Sequence, residues 1–527
     1  MTANYAQHVS TRKTPQTQPI PGSAQVRNQA GGFSFAVDDW TRLERFLILG
    51  TEGGSYYASE HKMTVESASA VMRCIRKDGA RVVKTVVAIS TEGRAPKNTP
   101  ALFVLALCAA ADAPETRRLA LEALPKVARI GTHLFQFVEF VQAFRGWGRG
   151  LRRAVGGWYQ DKDADRLAYQ MLKYKQREGW SHRDILRLTK PVPTNETHSA
   201  LYRYATKGEV STFAPEMVHR ATELMQTDNP KRAIQLIRHY RLTREMVPTA
   251  LLKRPDVWEA LLAEMPMTAM IRNLATMTRV GLLQPFADAT RVICERLRDE
   301  TRLRKARVHP IALLAALNTY KGGKGVRSGG VWSPVKSITD ALDDAFYLSF
   351  QNVPVTGLRW QLAVDVSASM GWGTIAGVAG LTPQIAAGAM SMITARTEPE
   401  HVITAFSTQL TQVDLSGRSS LSEVLNTLSR IPMGGTDCAQ PMLWATKNRI
   451  PVDVFVVYTD SETWYGNIHP VQALKEYRNK MGIPAKLIVV GMLANKFSIA
   501  DPDDAGMLDV VGFDTATPAL MADFARV

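Results

Sequence analysis

Between about residues 38 and 350, apolar side chains recur three or four positions apart, in stretches of about 10 to 16 residues broken by Gly, Pro or Asn. That spacing predicts short amphipathic helices. Trp40 to Leu49, Val65 to Ile75, Thr116 to Val127, His133 to Phe144 and Val257 to Leu274 are examples. So many short helices cannot each own a core, and stacking them as hairpins in a HEAT-type solenoid or ring buries their stripes most economically. No clean sequence period is present, so an irregular helical bundle stays open as the alternative. After Val355 short β-branched runs alternate with helical stretches: Trp360 to Val364, Pro383 to Thr394, Val402 to Phe406, Leu421 to Leu428, Val452 to Tyr458, Val471 to Met481 and Lys486 to Val490. These predict βαβ units and a mostly parallel sheet covered on both faces, a doubly wound α/β domain. Residues 1–30 are polar, contain proline and lack periodicity, and are expected to form a flexible arm. The organisation expected is therefore an arm (1–30), an all-α helical-repeat part (31–355) and an α/β domain (356–527).

Composition changes this picture in one respect. At 527 residues with 45% apolar and 21% charged residues the chain has the profile of an ordinary folded, multidomain protein. The net charge of +15 is not spread evenly. Residues 356–527 hold 12 Lys+Arg against 16 Asp+Glu, which leaves 52 against 33 for residues 1–355, a net charge of +19. General solubility does not explain such segregation, and a polyanion partner for the helical part does. Cys74, Cys108, Cys294 and Cys438 are far apart and form no C-x-x-C pair, so neither a zinc ribbon nor a disulfide framework is expected, and a reducing, cytoplasmic setting fits. No export signal is visible at the N-terminus. The uncharged stretch Val366 to Ala395 is long enough to span a bilayer, but five glycines, Pro383 and Gln384 favour a loop and a buried helix.

The sharpest chemical signal is Asp365-Val-Ser367-Ala-Ser369-Met directly after the first strand of the α/β domain. In such sheets ligands bind at the carboxyl ends of strands, where this loop falls. Thr436, in the turn Gly434-Gly435-Thr436-Asp437, and Asp460, at the end of the run Val-Phe-Val-Val-Tyr-Thr-Asp, are expected at matching places. Hydroxyls and carboxylates clustered in this way suit a hard divalent cation, Mg²⁺ first. The alternative is that Asp365 and the serines only cap the following helix. Two further stretches interleave basic and aromatic residues: Arg145-Gly-Trp147-Gly-Arg149-Gly-Leu-Arg152-Arg153, and Lys173, Tyr174, Lys175, Arg177, Trp180, His182, Arg183 and Arg187 through Lys190. Cations neutralise phosphates and rings stack on unpaired bases. Alternatively Trp147, Tyr174 and Trp180 pack in the core and the charges form a solvated face. Two weaker basic clusters are Arg296, Arg298, Arg302, Arg304, Lys305 and Arg307, and Lys321, Lys324 and Arg327.

The α/β motif resembles the metal-ion-dependent adhesion site of von Willebrand factor A domains, D-x-S-x-S with a distant Thr and Asp. The resemblance implies Ser367, Ser369 and Thr436 as hydroxyl ligands, with Asp365 and Asp460 binding directly or through water. The helical part resembles the TROVE module of Ro ribonucleoproteins in RFLILGTEGGSYYASEHK, GRAPKNTPALFVLAL, RGWGRGLRRAV, KYKQREGWSHRDILRLTKP, WEALLAEMPMTAMIRNLATM and HPIALLAALNTYKGGKG, followed by LAVDVSASM. Membership of the Ro family implies a ring of helical repeats closed by the A domain. Small noncoding Y RNAs would lie on a basic outer face, and single-stranded ends of misfolded RNAs would enter the hole. Lys173 and Arg177 match the family's RNA-contacting lysine and arginine, whereas Lys190 stands where the family has a contacting histidine, and the segment is shorter by about two residues before the proline. The departures from the animal motif point to a bacterial member, in which a Y RNA can link the protein to the exoribonuclease polynucleotide phosphorylase.

The expected function is an RNA-binding scaffold in RNA quality control and not an enzyme. Metal-dependent phosphodiester cleavage wants clustered carboxylates and often two ions, while this site offers two acids and three hydroxyls. The second reading is a protein-interaction module in which a partner's acidic side chain completes the metal coordination.

Overall fold

The computed structural model describes residues 13–52, 54–325, 330–350, 353–378 and 380–527. Strands are sparse in its first two thirds: β1 (Gln25–Arg27), β2 (Phe33–Ala36) and the small pair β3 (Gln176–Arg177) and β4 (Trp180–Ser181). The last third holds β5 (Trp360–Asp365), β6 (His401–Phe406), β7 (Leu410–Gln412), β8 (Val454–Thr459), β9 (Lys486–Gly491), β10 (Phe497–Ser498) and β11 (Met507–Val511). By internal packing the chain divides into two compact units, one made of Met1–Arg73, Arg94–Pro96 and Ser349–Val527, the other of Cys74–Gly93 and Lys97–Leu348.

The first unit is an α/β fold on a six-stranded sheet of order β11-β9-β8-β5-β6-β7, parallel except for the β6 to β7 pairing. Its central strands β5 and β8 are buried along their whole length, which is why they read as continuous apolar runs. Helices Gln440–Asn448 and Pro470–Met481 bring Met442, Ala445, Leu474 and Tyr477 onto the core with Phe455, Val457 and Leu487. The uncharged stretch after Val366 is a loop followed by the buried helix Pro383–Thr397, and no helix among the described residues is long and apolar enough to cross a membrane.

The segment expected to be a flexible arm is, from Lys13 onward, built into this unit. β2 pairs with β1 on one side and β10 on the other, and Gln16 is fully buried. Its amide donates to Asp437 Oδ1 (2.6 Å) and to the Ile468 carbonyl (2.8 Å), while its backbone bonds to Gly466 and Phe33. Apolar periodicity misses such a segment because what it buries is polar and satisfied. The boundaries drawn from sequence at 30 and 355 therefore do not coincide with those of the folded units.

The second unit is helical. Its helices start at recognisable caps: Asp163 accepts from Arg166 N before Ala164–Lys173, Ser181 and Asp184 form a capping box before His182–Thr189, and Asn195 accepts from His198 N before Glu196–Lys207. Each buries one stripe, such as Leu167, Ala168, Met171 and Leu172. Helices pack on near neighbours in the chain, Arg149–Gln160 on Pro114–Val127 and His182–Thr189, and Ala164–Lys173 on Glu196–Lys207 and Glu216–Gln226. This is the stacking of helical hairpins expected from the pattern. The single helix expected over Val257 to Leu274 is two, Pro255–Ala263 and Met267–Arg279, because Pro266 excludes helical backbone at the residue before it.

Candidate metal centre and nucleic-acid interface

The five residues singled out in the α/β domain come together. Asp365 ends β5, and the loop after it turns back so that Ser367 N donates to Asp365 Oδ1 (2.9 Å) and the Ser367 and Ser369 hydroxyls lie 3.2 Å apart. Ala368 N donates to the Gly434 carbonyl (3.2 Å), which ties this loop to the turn carrying Thr436. Trp464 N and Tyr465 N both donate to the Thr436 carbonyl, fixing that turn to the segment after Asp460. All five residues are at most 2% exposed. Thr459 donates to Asp365 Oδ2 (2.6 Å) and Glu462 N to Asp460 Oδ1 (3.1 Å), whereas Asp460 Oδ2 is buried with no hydrogen-bond partner.

Two buried carboxylates without a cation are costly. Burial, and then the neighbouring Asp460, hold Asp365 above the usual carboxylate range, and burial does the same to Asp460. An orphaned carboxylate oxygen beside three hydroxyls is a donor set that a hard divalent ion satisfies. The residues fit the ion.

Three more side chains frame this centre and carry no sequence signal as separate residues. Tyr57 hydrogen-bonds Ser369, Glu462 accepts from Gln29 N (2.7 Å) and Ala30 N (3.1 Å), and Asp437 accepts from Gln16. Burial, reinforced by Asp460, pushes Glu462 up to about 8. These contacts involve residues far apart in the chain, which motif spacing cannot join.

In the helical unit the two basic and aromatic stretches converge. The rings of Trp147 and Trp180 meet at 6.1 Å, each half-buried and each held by its indole N–H, Trp147 on Gln142 (3.1 Å) and Trp180 on Glu139 (2.7 Å). β3 and β4 form a hairpin whose two turn residues, Glu178 (φ 50°) and Gly179 (φ 77°), both have positive φ, as a type I′ turn requires. Arg177 and Trp180 are partners across it. Arg145, Arg149, Arg152, Lys175, Arg177, Arg183, Arg187 and Lys190 are exposed. Arg177 pairs with Glu178 (2.9 Å) and Arg145 donates to the Ala109 carbonyl (3.1 Å), but among the described residues Arg149, Arg152, Arg183, Arg187 and Lys190 make no ion pair. Lys173 is half-buried, donates to Tyr169 Oη (2.7 Å) and lines a groove with Arg241 and Arg244.

His182 departs from the expected set. It is 4% exposed, packed against Phe135 and Trp158 and bonded to Tyr159 Oη (2.9 Å), and burial lowers it to about 4. As the first helical residue after a capping box it points inward, so it is a neutral core residue and not a phosphate contact. In the weaker cluster Arg298 pairs with Asp344, Arg302 with Asp299 and Arg304 with Glu300, while Arg296 donates to the Leu262 and Ala263 carbonyls at a helix end. Lys321 and Lys324 are exposed, and Arg327 lies outside the described residues.

Comparison with known proteins matches this architecture over its length. The Ro60 vWA domain family matches residues 359–525, and the TROVE domain family residues 26–241 and 234–321. The chain is similar to an RNA-binding protein RO60 of Deinococcus radiodurans, 43% identical over 99% of each chain, and to one of Caenorhabditis elegans, 37% identical over 97% of this chain and 92% of the relative. The crystal structure of the Deinococcus radiodurans RO (RSR) protein superposes with a TM-score of 0.70, covering 93% of this chain and 99% of that one. With both domain families matched in order and full-length relatives in a bacterium and an animal, the chain belongs to the Ro60 family of RNA-binding proteins.

Proposed function

We propose that this protein is a cytoplasmic RNA-binding scaffold that holds small noncoding RNAs of the Y type on the basic face around Trp147 and Trp180, and takes single-stranded ends of misfolded RNAs through the hole of a helical ring. The observation that carries the reading is the convergence of two basic stretches on one paired-indole surface, with arginines that have no carboxylate partners. Lys173 and Arg177 contact phosphates, Arg145, Arg149, Arg152, Lys175, Arg183, Arg187 and Lys190 extend the field, and the indoles offer stacking surfaces. The relatives' printed names, RNA-binding protein RO60, support the class of ligand. Through its RNA the protein serves an exoribonuclease such as polynucleotide phosphorylase, and it cleaves nothing itself: labelled RNA stays intact in Mg²⁺ with the purified protein, and turnover abolished by Asp365→Ala would refute that. The test of the main reading is crosslinking in native cells with sequencing of the recovered RNA. One small structured RNA should be enriched with wild type and lost with Lys173→Ala/Arg177→Ala; no enrichment would reject the reading.

The orphaned Asp460 Oδ2 favours a second role alongside it. Asp365, Ser367, Ser369, Thr436 and Asp460 hold a divalent ion, Mg²⁺ first, and a partner's acidic side chain completes its coordination. The ion supplies a point of attachment for a carboxylate; the residues of this chain orient it and keep water out. Isothermal titration with Mg²⁺ should show one site in wild type and none in Asp365→Ala, with RNA binding intact in both.

A further inference from the structure

Eleven arginines of the helical unit have an ion-pair partner among the described residues. Arg118 sits between Glu115 and Glu122, and near the end of helix Glu300–Lys305 Arg302 has Asp299 and Arg304 has Glu300. Among the described residues Arg129 and Arg307 have none. Arg129 is half-buried, and its Nη1 donates only to Ser90 Oγ (2.8 Å) and the Lys126 carbonyl (3.2 Å). Ser90 is itself held by Asn98 Oδ1 (2.6 Å). Three residues after Ser90 the backbone turns at Gly93 (φ 75°), and a Cβ placed there would lie 3.2 Å from Arg307 Cβ and 3.6 Å from its Cγ, so the Arg307 stem lies against the same turn. Arg307 is exposed and held in the left-handed region (φ 51°).

The two guanidiniums repel. Arg129 is held below its ordinary value by burial and then by Arg307, and His133, lowered to about 4 by burial, feels Arg129 as well. Among the described residues no acid offsets them. The end of helix Glu60–Glu92 supplies carbonyls, but a helix terminus is worth only roughly half a charge and faces two full ones.

We infer that Arg129 and Arg307, at the turn that follows Ser90, form a binding site for a phosphate group made of residues other than Lys173 and Arg177. Paired planar forks with one exposed and one fixed member match the oxygens of a phosphate, which replaces their mutual repulsion by charge-assisted hydrogen bonds. The phosphate comes either from an RNA backbone or from a free anion, and the site does not depend on the RNA reading above.

The experiment uses the full-length protein and two probes: inorganic phosphate against chloride at matched ionic strength, read by thermal melting, and a labelled 12-nucleotide uridine RNA, read by fluorescence anisotropy. Phosphate should raise the wild-type Tm above the chloride control, equally so in Lys173→Ala. Arg307→Gln should bind phosphate about tenfold more weakly, yet melt no lower than wild type in chloride, because a like charge has gone. A helix-capping role predicts the reverse, a lower Tm in chloride with an unchanged response to phosphate, and that result overturns the proposal. Arg129→Lys, which keeps the charge and spares the fold, should weaken phosphate binding by less than Arg307→Gln. If Arg307→Gln also weakens the RNA, the bound phosphate is a backbone phosphate; if only the phosphate response goes, it is a free anion. If neither probe responds to Arg307→Gln, the site does not exist.

Discussion

In the α/β unit three buried carboxylates are held by neutral donors: Asp365 and Asp460 at strand ends, and Glu462 two residues after Asp460. The helical unit presents instead exposed cations without an ion pair among the described residues, Arg149, Arg152, Arg183, Arg187 and Lys190, on the two stretches that meet at Trp147 and Trp180. The difference lies in how each site is prepared. The cluster of acids is desolvated in advance, and on the proposed reading its recognition of a compact ion would be a matter of fixed oxygen positions. The exposed cations are hydrated, and on the proposed reading a polyanion would displace their counterions, so that recognition would be graded by salt. On that reading one centre would be preorganised and all-or-none, and the other distributed and tolerant of single losses.

The first way to break this comparison is with acid, because the helical unit also hides neutral histidines. The folded-state pKa of His182, about 4, lies below its unfolded value near 6.5, so its contribution is complete above about pH 6.5 and lost as pH falls toward 4. About 3 kcal/mol is at stake at His182 alone. Glu462 and Asp437, raised to about 8 and about 6, act in the opposite sense, their contribution fading as pH rises. Melting followed between pH 7.5 and 4.5 should therefore show helical signal lost first on the acid side, and His182→Phe should flatten that slope.

Next comes the cation. Mg²⁺ at a hundredfold excess over Kd should stabilise the protein by about 2.7 kcal/mol, and Asp365→Asn should remove this increment while costing nothing in EDTA, since it removes a buried charge. A lower Tm of Asp365→Asn in EDTA would mean the carboxylate is already neutralised by the protein. Trp180→Ala should cost about 2 kcal/mol in single-stranded RNA affinity if a base stacks there, measured by anisotropy at fixed salt. Lys173→Ala with Arg177→Ala should weaken RNA by about tenfold and lower the slope of log K against log salt by about 2, leaving Mg²⁺ binding untouched. The smallest effect is at Lys190, where Lys190→His, which supplies a ring at the family's position, should change RNA affinity by less than about threefold.

The helical and α/β patterns, the parallel sheet and the convergence of Asp365, Ser367, Ser369, Thr436 and Asp460 were legible in the sequence because each rests on a local period or on a strand end. For Lys173 and Arg177 the sequence offers a motif, and the structure leaves Lys173 half-buried beside Tyr169 and Arg177 exposed on the β3–β4 hairpin. What escaped depended on contacts across the chain. Gln16, Tyr57 and Asp437 have no pattern of their own: Gln16 meets Asp437, and Tyr57 meets Ser369 in the loop after β5, only once distant parts of the chain have packed together. His182 misled because a histidine inside a basic run looks exposed, while the capping box at Ser181 turns it inward. The helix break before Pro266 was overlooked because apolar spacing continued through it.

The pairing of β2 with β10 has a consequence for how the chain is made. Ala36 and Phe497 are partners, yet the ribosome completes all of the helical unit between them. At about 5–20 residues per second the N-terminal strands wait roughly half a minute to a minute and a half for their sheet. During that interval the nascent chain carries a finished helical unit and an unpaired β edge, the form of a protein most open to association with its neighbours on a polysome. Synonymous slowing of translation after residue 350 should lengthen this exposure and lower soluble yield without changing any residue of the protein.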